Sequence, residues 1–231
     1  MKVLVFGASG PSGIQVVRRL LSQGHTALAF VRNSDAFSKI LGDIGASAPS
    51  LEIITGDVTK AEDVSRAFET EGLDAVISCL GTGKNLSKTT VYSEGTKLIL
   101  EAMRSKGLKR LCVVTADRDH PKASFIYRTL VKRLLGHIYE DMDRLEKVLD
   151  EVKDIEWTNV KPYQLVDHPF SGQYSVSKHH LEECSFKTSR ADLADCLIRL
   201  ALGPEGSSYA HQMACVGWKT SHAKVSAPEF S

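Results

Sequence analysis

Five cysteines in 231 residues, with no C-x-x-C pair among them, leave nothing for a disulfide framework or a thiolate metal site. Cys79, Cys112, Cys184, Cys196 and Cys215 are odd in number and widely spaced. The expectation is reduced, mostly buried thiols in a cytoplasmic protein. No apolar run approaches the roughly 20 residues of a membrane-spanning helix. Met1-Lys2 leads into a short apolar run and then glycines, not into a signal peptide, so no membrane association is expected. A net charge of +1 gives no field to gather nucleic acid. The nearest approach to a metal-ligand cluster is His179-His180-Leu181-Glu182-Glu183-Cys184. Its adjacent histidines point apart in a strand and diverge in a helix, so no metal is expected.

What remains is an ordinary globular composition, 42% hydrophobic and 25% charged. At this length, folding buries roughly 70–75% of the unfolded chain's surface, enough for one domain without staples. Short apolar runs rich in β-branched residues fall at 3–6, 26–31, 51–55, 74–79, 110–115 and 157–160. Each predicts a strand, and strands apolar on both faces belong to a parallel sheet covered on both sides. Helical patterns lie between them at 11–23, 88–106 and 122–150, where Leu134 is one of the apolar stripe and Gly136 a point of interruption. A last helix at 190–202 opens on Ser189 and Asp192 in a capping-box-like spacing. A further strand is expected near 209–216. This order predicts an α/β Rossmann-like fold, a doubly wound parallel sheet in a single domain over 1–216. The substrate region would come from 117–140 and 161–188, and 217–231 would form a loosely held tail.

The first strand runs straight into VFGASGPSG, residues 5–13, and then into the first helix. Gly7 permits a tight turn, Gly10 lets backbone approach a pyrophosphate, and Gly13 lets helix pack on strand. Helix-end N–H groups would face the anion, and Pro11 suits the first helical turn. Ser9 and Ser12 offer hydroxyls. No Gly-Lys-Ser/Thr follows, which excludes a P-loop NTPase. Arg32, after the second strand, suits the 2′-phosphate of NADP, although Asp35 close by keeps NAD open. Asp57 and the backbone of Val58 follow the third strand, where the adenine edge would lie. Leu80, Gly81 and Thr82 follow the fourth, again facing the cofactor.

Tyr174-Ser175-Val176-Ser177-Lys178 matches the Tyr-x-x-x-Lys pair of ordinary short-chain dehydrogenases. The pair needs both side chains on one helical face, with the lysine lowering the tyrosine's pKa. Here Pro169 and Gly172 precede, the stretch alternates like a strand, and it comes after the sixth strand. It is therefore rejected as catalytic.

The stretch CLGTGKNLSKTTVYSEGTKLILEAMRSKGLKRLCVVTA, 79–116, with VFGASGPSG, FVRN, GDV and SKHHLEECSFKTSRADLADCLIRLAL, resembles the atypical short-chain dehydrogenase/reductases of the NAD(P)H-binding type. Within them the chain is similar to the biliverdin-IXβ reductase and NADPH flavin reductase branch, which also lacks the Tyr-Lys pair. The resemblance implies a monomeric, cytoplasmic reductase that passes hydride from NADPH to a small planar acceptor: a flavin such as FMN, a linear tetrapyrrole or a quinone. It implies that Thr115, a serine in that family, lies beside the nicotinamide with Ala116, and that backbone at Pro162 and Tyr163 meets the nicotinamide amide. Three departures stand out. Tyr163 replaces a histidine near the substrate. Gly83 replaces a basic residue, for which Lys84 is the candidate substitute. Ala36 stands where a second arginine would meet the phosphate, with Lys39 nearby. The alternative reading is an NADPH-binding sensor of the same fold without turnover, because fold alone does not separate the two.

Overall fold

The computed structural model describes all residues except 43–47, 84–85, 119–124, 180–183, 186, 220–228 and 231. The chain opens with β1 (Lys2–Phe6), α1 (Pro11–Ser22), β2 (Thr26–Val31), α2 (Ser34–Leu41) and β3 (Leu51–Thr55). It continues through α3 (Ala61–Ala67), β4 (Ala75–Ser78), α4 (Val91–Lys106), β5 (Arg110–Val114), α5 (Phe125–Glu151) and β6 (Glu156–Pro162). Short strands β7 (Gln164–Val166), β8 (Tyr174–Ser177) and β9 (Lys187–Ser189) come next, then α6 (Arg190–Leu202), α7 (Glu205–Ser208), β10 (Gln212–Trp218) and β11 (Glu229–Phe230).

Nine strands form one sheet in the order β11-β8-β10-β6-β5-β4-β1-β2-β3, and β7 pairs with β9 apart from it. From β10 to β3 every pairing is parallel. The chain winds outward from β1 in one direction through β2 and β3, then restarts at β4 on β1's other side. That reversal opens a crevice at the carboxyl ends of β1 and β4, where open α/β sheets take their ligands.

Both faces of the central strands are closed. Val3 and Val5 pack with Val16, Val17 and Leu20 of α1 and Leu193 and Leu197 of α6. Leu4 and Phe6 pack with Ile99 and Met103 of α4 and Met142, Leu145 and Leu149 of α5. All four β1 residues are fully buried, which is why the run carries no polar alternation.

The sequence pattern misleads at several points. β3 is an edge strand with Ile53 36% exposed, so its apolar run does not mark two covered faces. Leu134 is 60% exposed and lies off the buried stripe of α5, and that helix runs through Gly136 without interruption. The last long strand continues to Trp218, past the expected start of a loose tail. Glu229–Phe230 then pairs with β8. At α6 the expected cap is present: Ser189 Oγ accepts from Asp192 N–H and donates to Asp192 Oδ2.

Candidate functional site

The crevice at the carboxyl ends of β1 and β4 is built on three glycines. Gly7 has φ +70°, and a β-carbon there would lie 2.3 Å from the Cys79 carbonyl oxygen. Only glycine lets the turn after β1 lie directly on the end of β4. Gly13 faces the same constraint from the helix side, where a β-carbon would lie 2.2 Å from the Gly7 oxygen. Gly10 donates its N–H to that same oxygen at 2.9 Å and is the N-cap of α1. No side chain caps the helix and Pro11 fills its first position, so the first-turn amides are left for an anion. Ser9 and Pro11 are exposed and Ser12 half-buried around them. This cradle fits a dinucleotide pyrophosphate.

Arg32 is exposed just past β2, beside Asp57 at the end of β3. The Asp57 carboxylate accepts from Thr59 N–H at 2.9 Å and Thr59 Oγ at 2.8 Å. Those two bonds hold its pKa below the usual carboxylate range; burial opposes them, and the charges of Arg32 and Lys60 add to them. Asp35 follows in the first turn of α2, which Asn33 caps by accepting from Ala36 N–H. Val58 is buried against a position the sequence did not single out. A β-carbon on Gly95 of α4 would lie 3.1 Å from Leu80 Cδ1 and 3.2 Å from Val58 Cγ2. Gly95 therefore lets Val58 and Leu80 converge into an apolar wall.

Beyond Leu80, Gly81 is exposed, and a β-carbon on it would meet only Tyr92 Oη, at 3.6 Å. Burial pushes the Tyr92 phenol up, and a hydrogen bond from the Thr82 backbone pulls it the other way. Gly83 has φ +62°, a conformation suited to glycine, and Lys84 lies outside the described residues. Tyr92 opens α4, and that helix end is capped from across the fold. The fully buried Asp141 of α5 accepts from Tyr92 N–H at 2.9 Å and Ser93 Oγ at 2.5 Å, and it pairs with Arg144.

At the end of β5, Thr115 is 4% exposed. Its hydroxyl lies 2.8 Å from Asn159 Oδ1 and 3.3 Å from Glu146 Oε1. Its N–H bonds to the Val160 oxygen, and Asp117 N–H bonds to the Pro162 oxygen. These two ladder bonds hold Ala116 beside the end of β6, where Pro162 is buried and Tyr163 half-buried. Glu146 also takes the Lys161 ammonium at 2.9 Å and lies 3.6 Å from Arg118, which in turn pairs with Asp143 at 2.5 Å. Thr115, Asn159, Glu146 and Lys161 thus form one polar cluster drawn from β5, α5 and β6. Of these the sequence reading found only Thr115. The signal for the others was present: Trp157, Asn159 and Lys161 share one strand face, and Glu146 interrupts the apolar stripe of Met142, Leu145 and Leu149.

The Tyr-x-x-x-Lys match falls elsewhere. Tyr174 is fully buried in β8, within the core that packs α1 and α6. It donates to Asp195 Oδ2 at 2.6 Å, and Asp195 in turn takes Arg19. Burial pushes the phenol far above its ordinary pKa. Lys178 lies over the Tyr209 ring, 5.5 Å from its centroid. The residues 180–183 of the histidine-rich segment lie outside the described residues. Among the described residues no helix is long and apolar enough to cross a membrane.

Comparison with known proteins agrees with this geometry. A family model described as NAD(P)H-binding matches residues 7–204. The photosystem II assembly factor Ycf39 of Synechocystis is 32% identical over 127 residues, 53% of this chain and 36% of that protein. A 3-beta-hydroxysteroid dehydrogenase of Mycolicibacterium neoaurum is 31% identical over 130 residues, 51% of this chain and 32% of that protein. The matches span about a third of the length of these curated relatives. Among solved structures, a short-chain dehydrogenase/reductase of Veillonella parvula in complex with NADP superposes with a TM-score of 0.77 at 13% identity, covering 96% of both chains. ChuY of Escherichia coli, described as an anaerobilin reductase, superposes with a TM-score of 0.72 at 20% identity, covering 98% of this chain and 100% of that one. At these identities the superpositions show a common fold.

Proposed function

This chain belongs to the NAD(P)H-binding family, and from that premise we propose that it is an NADPH-dependent reductase of a planar conjugated acceptor, a flavin or a linear tetrapyrrole. When bound, the dinucleotide supplies the electron pair and one hydrogen. The chain's own residues bind, orient and shield. Gly7, Gly10 and Gly13 with the first turn of α1 hold the pyrophosphate, and Arg32 meets the 2′-phosphate. Val58 and Leu80 enclose the adenine side, and Gly81 and Thr82 flank the centre of the cofactor. Thr115, Ala116 and the backbone of Pro162 and Tyr163 orient the nicotinamide.

The observation that carries this reading is the placement of Thr115. Its hydroxyl is buried just past β5 and fixed by Asn159 and Glu146, at the same carboxyl end of the parallel sheet as the crevice. The sole Tyr-x-x-x-Lys match is committed to the core elsewhere. A site without that tyrosine–lysine pair suits a cofactor that brings its own chemistry. The tetrapyrrole arm draws support from the full-length fold likeness to a protein described as an anaerobilin reductase. We read the protein as a cytoplasmic monomer whose partner is its small-molecule acceptor. The test is NADPH oxidation by the purified protein with FMN, FAD, biliverdins and quinones. Tight NADPH binding with no turnover on any of them would favour a sensor.

A further inference from the structure

The polar cluster at the end of β5 and β6 holds a group that positioning alone does not use. Lys161 is on the same strand face as Asn159, and β10 brings Cys215 level with it. Its side chain is 11% exposed, and its ammonium is 2.9 Å from Glu146. An ammonium carries three N–H groups, and Glu146 engages one of them.

Several other groups at this edge are poor sources of a proton. The Thr115 hydroxyl is committed to Asn159 and Glu146. An asparagine amide does not ionise. Arg118 is held by Asp143 and Glu146. The Cys215 thiol is pushed up to about 12, first by burial and then by Asp117. Lys161 is the ammonium of this cluster, held 2.9 Å from Glu146. Glu146 is 26% exposed and joins it to solvent.

Resting on the reductase reading, we propose that Lys161 holds at Nζ the proton that the acceptor takes up when that acceptor is a linear tetrapyrrole. Two-electron reduction of such an acceptor adds one hydrogen with its electron pair, from the reduced nicotinamide, and one proton. The Lys161 N–H bond breaks, an N–H or O–H bond forms on the acceptor, and the neutral amine left behind regains a proton from water. Glu146 is a positioning residue, aiming the ammonium and fixing Thr115 beside it.

The test compares wild type, Lys161→Met, Lys161→Arg and, as a control on the exposed side of α5, Lys147→Met. The first readout needs no turnover: the absorption spectrum of biliverdin bound in the presence of NADP⁺. A cation against a pyrrole nitrogen shifts the long-wavelength band to the red. That shift is expected in wild type and Lys161→Arg and is lost in Lys161→Met. The second readout is kcat with NADPH. Lys161→Met and Lys161→Arg are both expected to fall roughly a hundredfold or more, because a positioned proton donor contributes about 10²–10⁴-fold. Lys147→Met matches wild type. Full turnover in Lys161→Arg, or an unchanged spectrum and rate in Lys161→Met, overturns the proposal. A Lys161-dependent red shift without NADPH oxidation keeps Lys161 as a contact of the bound tetrapyrrole but overturns its role as proton source, together with the tetrapyrrole arm of the reductase reading. Turnover indifferent to Lys161 overturns the proposal and leaves the reductase reading standing, and absence of biliverdin binding overturns the proposal while the flavin arm of that reading stands.

Discussion

A β-carbon on Gly13 would lie 2.2 Å from the carbonyl oxygen of Gly7, so the first helix and the turn before it can meet only while both positions lack side chains. The third glycine differs. At Gly10 a β-carbon has one neighbour, the Gly7 oxygen at 3.2 Å, and the backbone is in an ordinary extended conformation.

Gly13→Ala should therefore act on stability and Gly10→Val on binding. Overpacking costs typically about 1–3 kcal/mol, and each kcal/mol lowers Tm by roughly 2–4 °C at this chain length. Gly13→Ala should show that loss in a thermal melt. Gly10→Val should stay near the wild-type Tm but lose at least about tenfold in NADPH affinity by calorimetry, or about 1.4 kcal/mol. Undiminished affinity in Gly10→Val would remove the phosphate-cradle assignment.

Arg32→Ala separates the two dinucleotides. A hydrogen bond to a charged group contributes roughly 1.5–3 kcal/mol, about ten- to a hundredfold in affinity. NADPH should weaken by that factor and NADH hardly at all, in parallel titrations. Equal loss for both would make Arg32 structural, a partner of Asp57 alone.

The thiols should be silent in the native protein. Burial pushes Cys79 and Cys215 up to about 12, and Cys112 and Cys196 are raised by burial as well. With a pKa near 12, the reactive thiolate is about 10⁻⁴ of the total at pH 8. Ellman's reagent should label these four only on unfolding. Fast labelling of Cys112 or Cys196 at pH 8 would mean that the core opens readily.

The cradle was legible in the sequence because its parts are contiguous: a strand, three glycines and a helix within the first 22 residues. The sheet was legible because β1, β2, β4 and β5 are buried on both faces and carry unbroken apolar runs. The polar cluster was not. Thr115, Glu146 and Lys161 are separated by 31 and 15 positions, and only the β5–β6 register and the lie of α5 bring them together. Asp141 shows the same limit. It reads as one more surface charge on a helix, yet it is fully buried and caps a different helix.

Asp192 links acid stability to the docking of α6. Its carboxylate accepts from Ser171 N–H, Ser171 Oγ, Gly172 N–H, Ser189 Oγ and Trp218 Nε1. Burial pushes its pKa up, but these donors outweigh burial and hold it below the ordinary value of 3.8. A depressed folded-state pKa means the stabilisation is complete above the unfolded value and fades as pH falls through the folded one. Asp192→Asn should therefore lose stability at neutral pH, by roughly 1–3 kcal/mol for a buried group left with a mismatched partner. It should also show a shallower acid limb below pH 4 in chemical denaturation. A parallel acid limb would place the acid sensitivity in other carboxylates.

The last prediction decides how the reaction is run. If Tyr174 and Lys178 were a general acid and its partner, Tyr174→Phe would remove about 10²–10⁴-fold of the rate. Tyr174 instead donates to Asp195 from full burial, and Lys178 lies against Tyr209. Tyr174→Phe should thus keep kcat within about tenfold, under ~1.4 kcal/mol in barrier, while its Tm falls as Asp195 loses a donor. Thr115→Ala should show the opposite split. It leaves Asn159 and Glu146 without their hydroxyl partner and lets the nicotinamide side of the site loosen, so kcat falls further than in Tyr174→Phe. Activity survives, because backbone at Ala116 and Pro162 shares the orientation. Steady-state rates with NADPH and FMN, read beside thermal melts, separate the two patterns. A hundredfold loss at Tyr174 with a silent Thr115 would return catalysis to the Tyr-Lys pair.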